Sequence, residues 1–301
     1  MKPTVVISAC LDGFAYRYNG FSVNDEIVDR IKSLFNLVHV CPEVGIGLGV
    51  PRKTIKLQKV KNSIRAIQDE TGIDLTDELE KFAKNFLNEL GQVHGFILKA
   101  KSPSCGVGSA KVYYKDNPYG KSYGIFAGIV NEHFPFIPMI DEGRLRNKQM
   151  MWEFLTKVFM FYRFTEAKKS INDLIEFHSK HKYLIMSLSQ KHLKMLGKII
   201  ASHDGKNFES VVQKYDEIFK DLMMKNFRKS NIANVLIHIF GHFSENLSGR
   251  EKSHFLKMVQ KYREDKLELS GLVEILRSYA LRFEDEYILG QYFLEPFPDA
   301  G

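Results

Sequence analysis

The 301-residue chain is 44% apolar and carries 43 Lys and Arg against 36 Asp and Glu, a formal charge of +7. That length accommodates one large core or two ordinary ones, with two domains the better expectation, and no apolar run approaches the roughly 18 residues of a membrane span. Three cysteines, an odd number without a C-x-x-C pair, speak against a disulfide framework or a zinc ribbon. MKPTVVISAC has no basic n-region or small-residue cleavage site, so a cytoplasmic protein with free or metal-bound thiols is expected.

Taken in chain order, TVVISA (4–9), LVHV (37–40), GFILKA (95–100) and FIPMI (136–140) read as strands, and 24–35, 62–70, 76–90 and 122–131 as helices. Short apolar runs alternating with helical patterns are the signature of βαβ units. Residues 1–147 are therefore expected to form an α/β domain with a Rossmann-like, mostly parallel sheet, closed by the Pro-rich EHFPFIPMIDEGRLRN. From KQMMWEFLTKVFMFYRF onward the pattern is helical and nearly free of proline, so 148–301 is expected to be all-α. Its clearest helix is 231–246, where Ile232, Val235, Leu236, Ile239, Phe240 and Phe243 make one core-facing stripe. His238 and His242 flank that stripe at i and i+4, but zinc needs three or four protein ligands and no third is near, which leaves core-edge or RNA-facing positions.

The positive charge is concentrated. PRKTIKLQKVKNSIR (51–65) holds six basic residues and no acid, and between Glu176 and Asp204 there are five lysines and four histidines with no acid. Such stretches fit nucleic-acid phosphate; solvated basic faces are the plain alternative. GIGLGVPR (45–52) runs its glycines into Val50-Pro51 instead of opening a helix, so it is no dinucleotide fingerprint, and Walker A is absent.

Each cysteine sits where a strand-like run gives way to a loop: VVISAC-LDG at Cys10, LVHVC-PEVG at Cys41 and ILKAKSPSC-GVG at Cys105. In an open parallel sheet the loops leaving the carboxyl ends of the strands converge on one crevice, which brings distant residues together. Three thiolates there suit a tetrahedral metal with one open position, or an iron-sulfur cubane with one iron lacking a protein ligand. Three unrelated buried cysteines remain the alternative.

SACLDGFAYRYNG, CPEVGIGLGVPR and LKAKSPSCG resemble the three motifs of TudS-type desulfidases, with all three cysteines in motif positions. HKYLIM, NVLIHIFGHF with its following REK, and YILGQYFLEPFP resemble the helical domain fused to TudS in the RudS proteins. The resemblance implies a [4Fe-4S] cluster on Cys10, Cys41 and Cys105 with one open iron, and non-redox conversion of 4-thiouridine in tRNA to uridine. On that footing Glu43, two residues past Cys41, is the candidate general acid-base, expected in apolar surroundings. Ser102 and Ser104 are candidates to orient water or bond the uracil edge, Ser102 foremost, although Ser-Pro-Ser is also ordinary turn chemistry. Lys101 is placed to stabilise negative charge, and Arg17 and Arg52 to hold a ribose phosphate. The 52–65 segment and the 177–203 stretch, with Lys180, Lys182 and Lys191, are assigned to the tRNA backbone, read by shape. Tyr183, Tyr287 and Tyr292 suit base stacking or, more simply, core packing. Two other readings stay open: a desulfidase of free thiouracil whose helical domain oligomerises, and a non-catalytic RNA-binding or redox-sensing protein with a structural cluster.

Overall fold

The computed structural model describes residues 2–21, 25–202 and 208–299. The chain divides into two compact units, one reaching to Val158 and one of Phe159–Pro298. In the first, β1 (Thr4–Ser8), α1 (Glu26–Ile31), β2 (Asn36–Val40), α2 (Pro42–Gly45), β3 (Ile55–Val60), β4 (Ser63–Gln68), α3 (Thr76–Glu89) and β5 (Gly95–Leu98) precede β6 (Ala110–Tyr114), β7 (Asn117–Ser122), α4 (Ile125–His133), β8 (Met139–Asp141) and α5 (Glu142–Leu145). The division between units falls within α6 (Lys148–Glu166). Asn24, where the first helix was expected to begin, and His203 and Asp204 lie outside the described residues.

The first sheet is parallel throughout, in the order β2-β1-β5-β8. Val5, Val6 and Ile7 of β1 and the whole of β5 are buried, because a parallel sheet is covered on both faces and its strands read as continuous apolar runs. Ser8 pairs with Val40, and Ile7 with Ile97. The loops after β1, β2 and β5 therefore leave from one edge of the sheet.

A second sheet, β4-β3-β6-β7, was not anticipated. The segment 62–70, expected to be helical, is strand β4, antiparallel to β3 with Val60 opposite Ser63. Lys61 with φ 52° and Asn62 make a two-residue turn, and the alternation of Ile64 and Ala66 with Arg65 carries period two, which outweighs helix propensity. The β6–β7 hairpin turns at Lys115 and Asp116, both with positive φ, the geometry that matches strand twist. This sheet buries Ile55, Leu57, Ala66, Ala110 and Val112 with Leu75 and Leu79.

The second unit is helical: α7 (Ile171–Lys180), α8 (Lys182–Leu188), α9 (Gln190–Ala201), α10 (Phe208–Met223), α11 (Lys229–Gly241), α12 (Gly249–Arg263), α13 (Leu269–Arg282) and α14 (Glu286–Leu289). The expected stripe on α11 is buried, with Phe240 stacked on Phe255 at 4.2 Å between ring centroids. Phe164, Tyr215 and Phe219 form a second aromatic cluster. Among the described residues no helix is long and apolar enough to cross a membrane.

His178 packs in this unit with Nδ1 3.0 Å from the Tyr215 hydroxyl, and burial, aided by Lys182, holds its imidazole down to about 4. In the unfolded chain a histidine protonates near pH 6.5. The unfolded state then binds more protons between pH 6.5 and 4, so the stability present above pH 6.5 is lost as pH falls through that window. Denaturant unfolding should show a loss of about 2 kcal/mol between pH 7 and 4.5 from this residue, and His178→Gln should flatten that part of the pH profile; an unchanged slope would show that the ring is accessible to protons in the native state.

Candidate active site at the carboxyl ends of the parallel strands

Cys10 lies in a single 3-10 turn, Ala9–Leu11, directly after β1. Cys41 is the residue before α2, whose first position is Pro42, a ring already set for helix entry. Cys105 is buried in the turn after β5. Its thiol hydrogen-bonds with the Ser8 hydroxyl, and Ser8 Oγ also accepts from the Lys99 amide at 3.0 Å. The three thiols act on one another electrostatically, and all three also feel Glu43. Burial first, and then Cys41, pushes Cys10 up to about 11; burial also raises Cys41 and drives Cys105 well above the usual thiol value. Without a metal these are neutral thiols, and a metal centre would displace their protons.

Glu43 stands in the single turn of α2. Its Oε2 accepts from Arg52 Nε and Nη2, each at 2.7 Å, and its Oε1 from the Ser104 hydroxyl at 3.0 Å. The expected apolar surroundings are thus replaced by a guanidinium and a hydroxyl. Arg52 is equally displaced from its expected role, since its side chain is only 6% exposed and does not stand free to grip an outside phosphate. It also donates from Nη2 to the Tyr16 carbonyl at 2.9 Å. Arg52 Nη1 is buried and has no hydrogen-bond partner among the described residues, a donor that a ligand acceptor or a water must satisfy.

Ser102 Oγ accepts the amides of Ser104 at 3.2 Å and Cys105 at 3.1 Å, the local pattern of a serine turn, and so sets the Cys105 loop. Lys101 is exposed with φ 61°, its amide on Ser109 Oγ. The lysine acting on Cys10 is instead Lys99, ion-paired with Glu142, whose other oxygen takes the Ala100 amide at 2.6 Å. Sequence reasoning missed Lys99, Glu142 and Ser8, although Lys99 and Ser8 lie inside the motifs quoted above. It also missed the Asp12 to His39 contact of 2.8 Å beside Cys10 and Cys41. Arg17 lies 5.9 Å from the Tyr18 ring.

In the helical unit the basic stretch is less uniform than its composition. His178 is half-buried, His181 is buried, and His192 is bound to Asp221 at 2.7 Å. His238 is exposed, while His242 Nε2 meets the Tyr183 hydroxyl at 2.9 Å. Lys180 pairs with Glu176, and Lys182 lies over Tyr183 and Tyr287 at 5.2 and 5.7 Å. Lys191, Lys194 and Lys198 share an exposed face of α9 beside an open hollow of about 380 Å³. Tyr183 is buried and Tyr292 lies under the Arg163 guanidinium at 3.6 Å, so both serve packing; Tyr287 is 40% exposed.

Among the described residues no three His, Cys, Asp or Glu side chains close at the spacing of a single metal ion. A tetrahedral ion with sulfur ligands at about 2.3 Å requires that closure, whereas a cubane presents each cysteine to a different iron and holds its sulfurs farther apart. Three free, mutually interacting thiols fit the second donor set. The Cys105 loop is braced at Gly124, whose amide bonds the Gly106 carbonyl at 2.8 Å; a Cβ there would stand 2.5 Å from the Ser104 carbonyl group. Gly124→Ala should lower the thermal midpoint by several degrees and make Cys105 alkylatable by iodoacetamide, read by mass spectrometry; wild-type protection in the variant would show that the loop does not depend on this approach.

Residues 5–142 match the 2-thiouracil desulfurase family, and residues 182–298 match a family described only as DUF1722. YbbK of Bacillus subtilis (strain 168) is 30% identical over 111 residues, 35% of this chain and 74% of YbbK. YbgA of Escherichia coli (strain K12) is 22% identical over 138 residues, 46% of this chain and 82% of YbgA. A solved structure of a [4Fe-4S]-dependent thiouracil desulfidase, TudS, is 25% identical and covers 50% of this chain and 98% of that one, with a TM-score of 0.40.

Proposed function

The chain belongs, through residues 5–142, to the 2-thiouracil desulfurase family, and from that premise we propose that it converts 4-thiouridine in cytoplasmic tRNA to uridine with a [4Fe-4S] cluster held by Cys10, Cys41 and Cys105. The observation that carries the chemistry is a carboxylate, Glu43, fixed by Arg52 and Ser104 and in electrostatic reach of three neighbouring free thiols. The reaction balances without electrons: the C=S bond breaks, the oxygen of water forms the new C=O bond, and the two protons of water leave with sulfur as hydrogen sulfide. When bound, the cluster supplies a soft Lewis acid, at an iron without a cysteine ligand, for the thiocarbonyl sulfur.

The protein's own groups do the rest. Glu43 takes the proton of the attacking water and returns it to the departing sulfur. Ser104 and Arg52 hold both carboxylate oxygens, so the base is oriented before substrate arrives. Arg52, withdrawn from solvent, acts on the carboxylate of Glu43 and not on the substrate directly. Ser102 keeps the Cys105 turn in shape through its two amide contacts. Lys99, beside Cys10, favours the thiolate that metal binding requires.

For a tRNA substrate the base must leave its stack, which costs a few kcal/mol, and phosphate contacts offset this. Lys191, Lys194 and Lys198 on α9 are the cations of the helical unit that best suit that task, being exposed on one face. Lys180 and Lys182 serve it less well, because Glu176 and the tyrosines hold them. Affinity for tRNA should then fall with salt at a log–log slope of about 0.7 to 0.9 per phosphate.

The deciding measurement is nucleoside mass spectrometry of thiolated tRNA after incubation with the anaerobically reconstituted protein: 4-thiouridine should disappear and uridine rise. Turnover of free thiouracil with no tRNA affinity would move the substrate to the free base, and an iron-loaded protein inert on both would favour a sensor. Glu43→Gln, whose amide oxygen can still accept from Arg52 and so keep the loops in place, should lower kcat about 10²- to 10⁴-fold with iron content unchanged, while Cys105→Ser should lose iron and activity together. Arg52→Lys, which keeps a charge for Glu43 but loses the paired Nε and Nη2 contacts, should lower kcat about tenfold to a hundredfold with KM unchanged; wild-type kcat would remove Arg52 from orienting the base.

A further inference from the structure

The second sheet is rooted in the loops of the candidate site. Strand β3 begins three residues after Arg52, and β6 five residues after Cys105, while β7 returns to Gly124 against the Cys105 turn. Strands β3 and β6 run parallel, with Leu57 opposite Val112. Both hairpins therefore leave the site in one direction and end at Lys61-Asn62 and Lys115-Asp116; six residues of β3 span about 20 Å.

Near these tips the side chains form a row. Lys59 Nζ lies 4.3 Å from the centroid of the Tyr119 ring, Tyr119 and Tyr114 stand 6.4 Å apart, and Lys115 Nζ lies 5.5 Å from Tyr114. Tyr119 is 57% exposed and Tyr114 46%, so both rings reach solvent with Lys59 and Lys115 set over them. On the same hairpin Lys111 is directly opposite Lys121, both exposed, a like-charge pair that destabilises a sheet unless an anion lies over it. Within 51–65 the acids of neighbouring segments neutralise Lys53, Lys56 and Arg65. Lys59, Lys61, Lys111, Lys115 and Lys121 have no carboxylate partner among the described residues, and Asp116 is the sole acid of the β6–β7 hairpin.

We propose that the tips of the two hairpins form a stacking track for an unpaired RNA segment that continues from the base held in the site. Exposed aromatic rings interleaved with cations are what single-stranded nucleic acid requires, since every base offers a π-face and every linkage a charge. An anionic membrane or an acidic protein would also use these lysines and tyrosines, but the alternation of ring and cation along one row is the pattern of stacked bases between phosphates. The inference rests on a polynucleotide substrate and adds the part of it that is recognised: unpaired bases beside the thiolated one, not duplex.

Fluorescence anisotropy with the full chain, using a ten-nucleotide oligouridylate and a blunt RNA duplex of equal length, tests the track. Y114A/Y119A should lose about tenfold to a hundredfold in affinity for the oligouridylate with duplex binding unchanged, and Y114F/Y119F, which keeps the rings, should restore it. Matching thermal midpoints identify properly folded variants. Wild-type oligouridylate affinity in Y114A/Y119A, or equal binding of wild type to phosphatidylserine vesicles or polyglutamate, would overturn the proposal. If Y114A/Y119A converts thiolated tRNA normally, the track is wrong and the desulfidase reading survives; if the track binds RNA but thiolated tRNA is never converted, the reverse holds.

Discussion

The ion pair between Glu43 and Arg52 is the constraint on which the rest of the site depends. A carboxylate and a guanidinium withdrawn to 12% and 6% exposure carry a desolvation cost that only good geometry and further hydrogen bonds offset. Here the further bonds come from different loops: the Ser104 hydroxyl from the turn after β5 and the Tyr16 carbonyl from the segment after β1. One pair thus pins the loops that follow β1, β2 and β5, which are the loops that carry the cysteines. Removing either partner would leave the other charged and buried, so the site is held in register by the same groups that the proposed chemistry would use.

The part of the fold that rests on continuous apolar runs was legible in the sequence. Strands β1 and β5 are buried on both faces, and their composition says so without reference to neighbours. The convergence of the three cysteine loops followed from parallel topology alone. Strand β4 was not legible, because NSIRAIQ has a period-two alternation too short and too polar to separate from a helix by pattern; the positive φ at Lys61 decides it. The β6–β7 hairpin was hidden for a related reason, since its outer residues are lysines and tyrosines with no buried alternation over β7.

Side-chain roles were legible by type and not by position. Arg52 sits in a run of six basic residues, and nothing local distinguishes the one whose guanidinium is interior from those that reach solvent. Lys99 and Lys101 differ by two positions, yet one faces Cys10 and the other lies in an exposed left-handed turn. The acid-free 177–203 stretch is less uniform than its composition for a similar reason, because His192 finds its carboxylate on α10, 29 residues away. Local charge composition records what a segment lacks, while tertiary contact supplies it from elsewhere.

The raised proton affinity of the three thiols, Cys105 buried and Cys10 and Cys41 half-buried, has a consequence for the chain on its own. Oxidants and neighbouring sulfurs react with the thiolate and leave the neutral thiol largely alone. Cys10, Cys41 and Cys105 are pushed toward the neutral form mainly by burial. A newly made chain can therefore keep three neighbouring cysteines reduced, and a metal that displaced their protons would be what made them reactive.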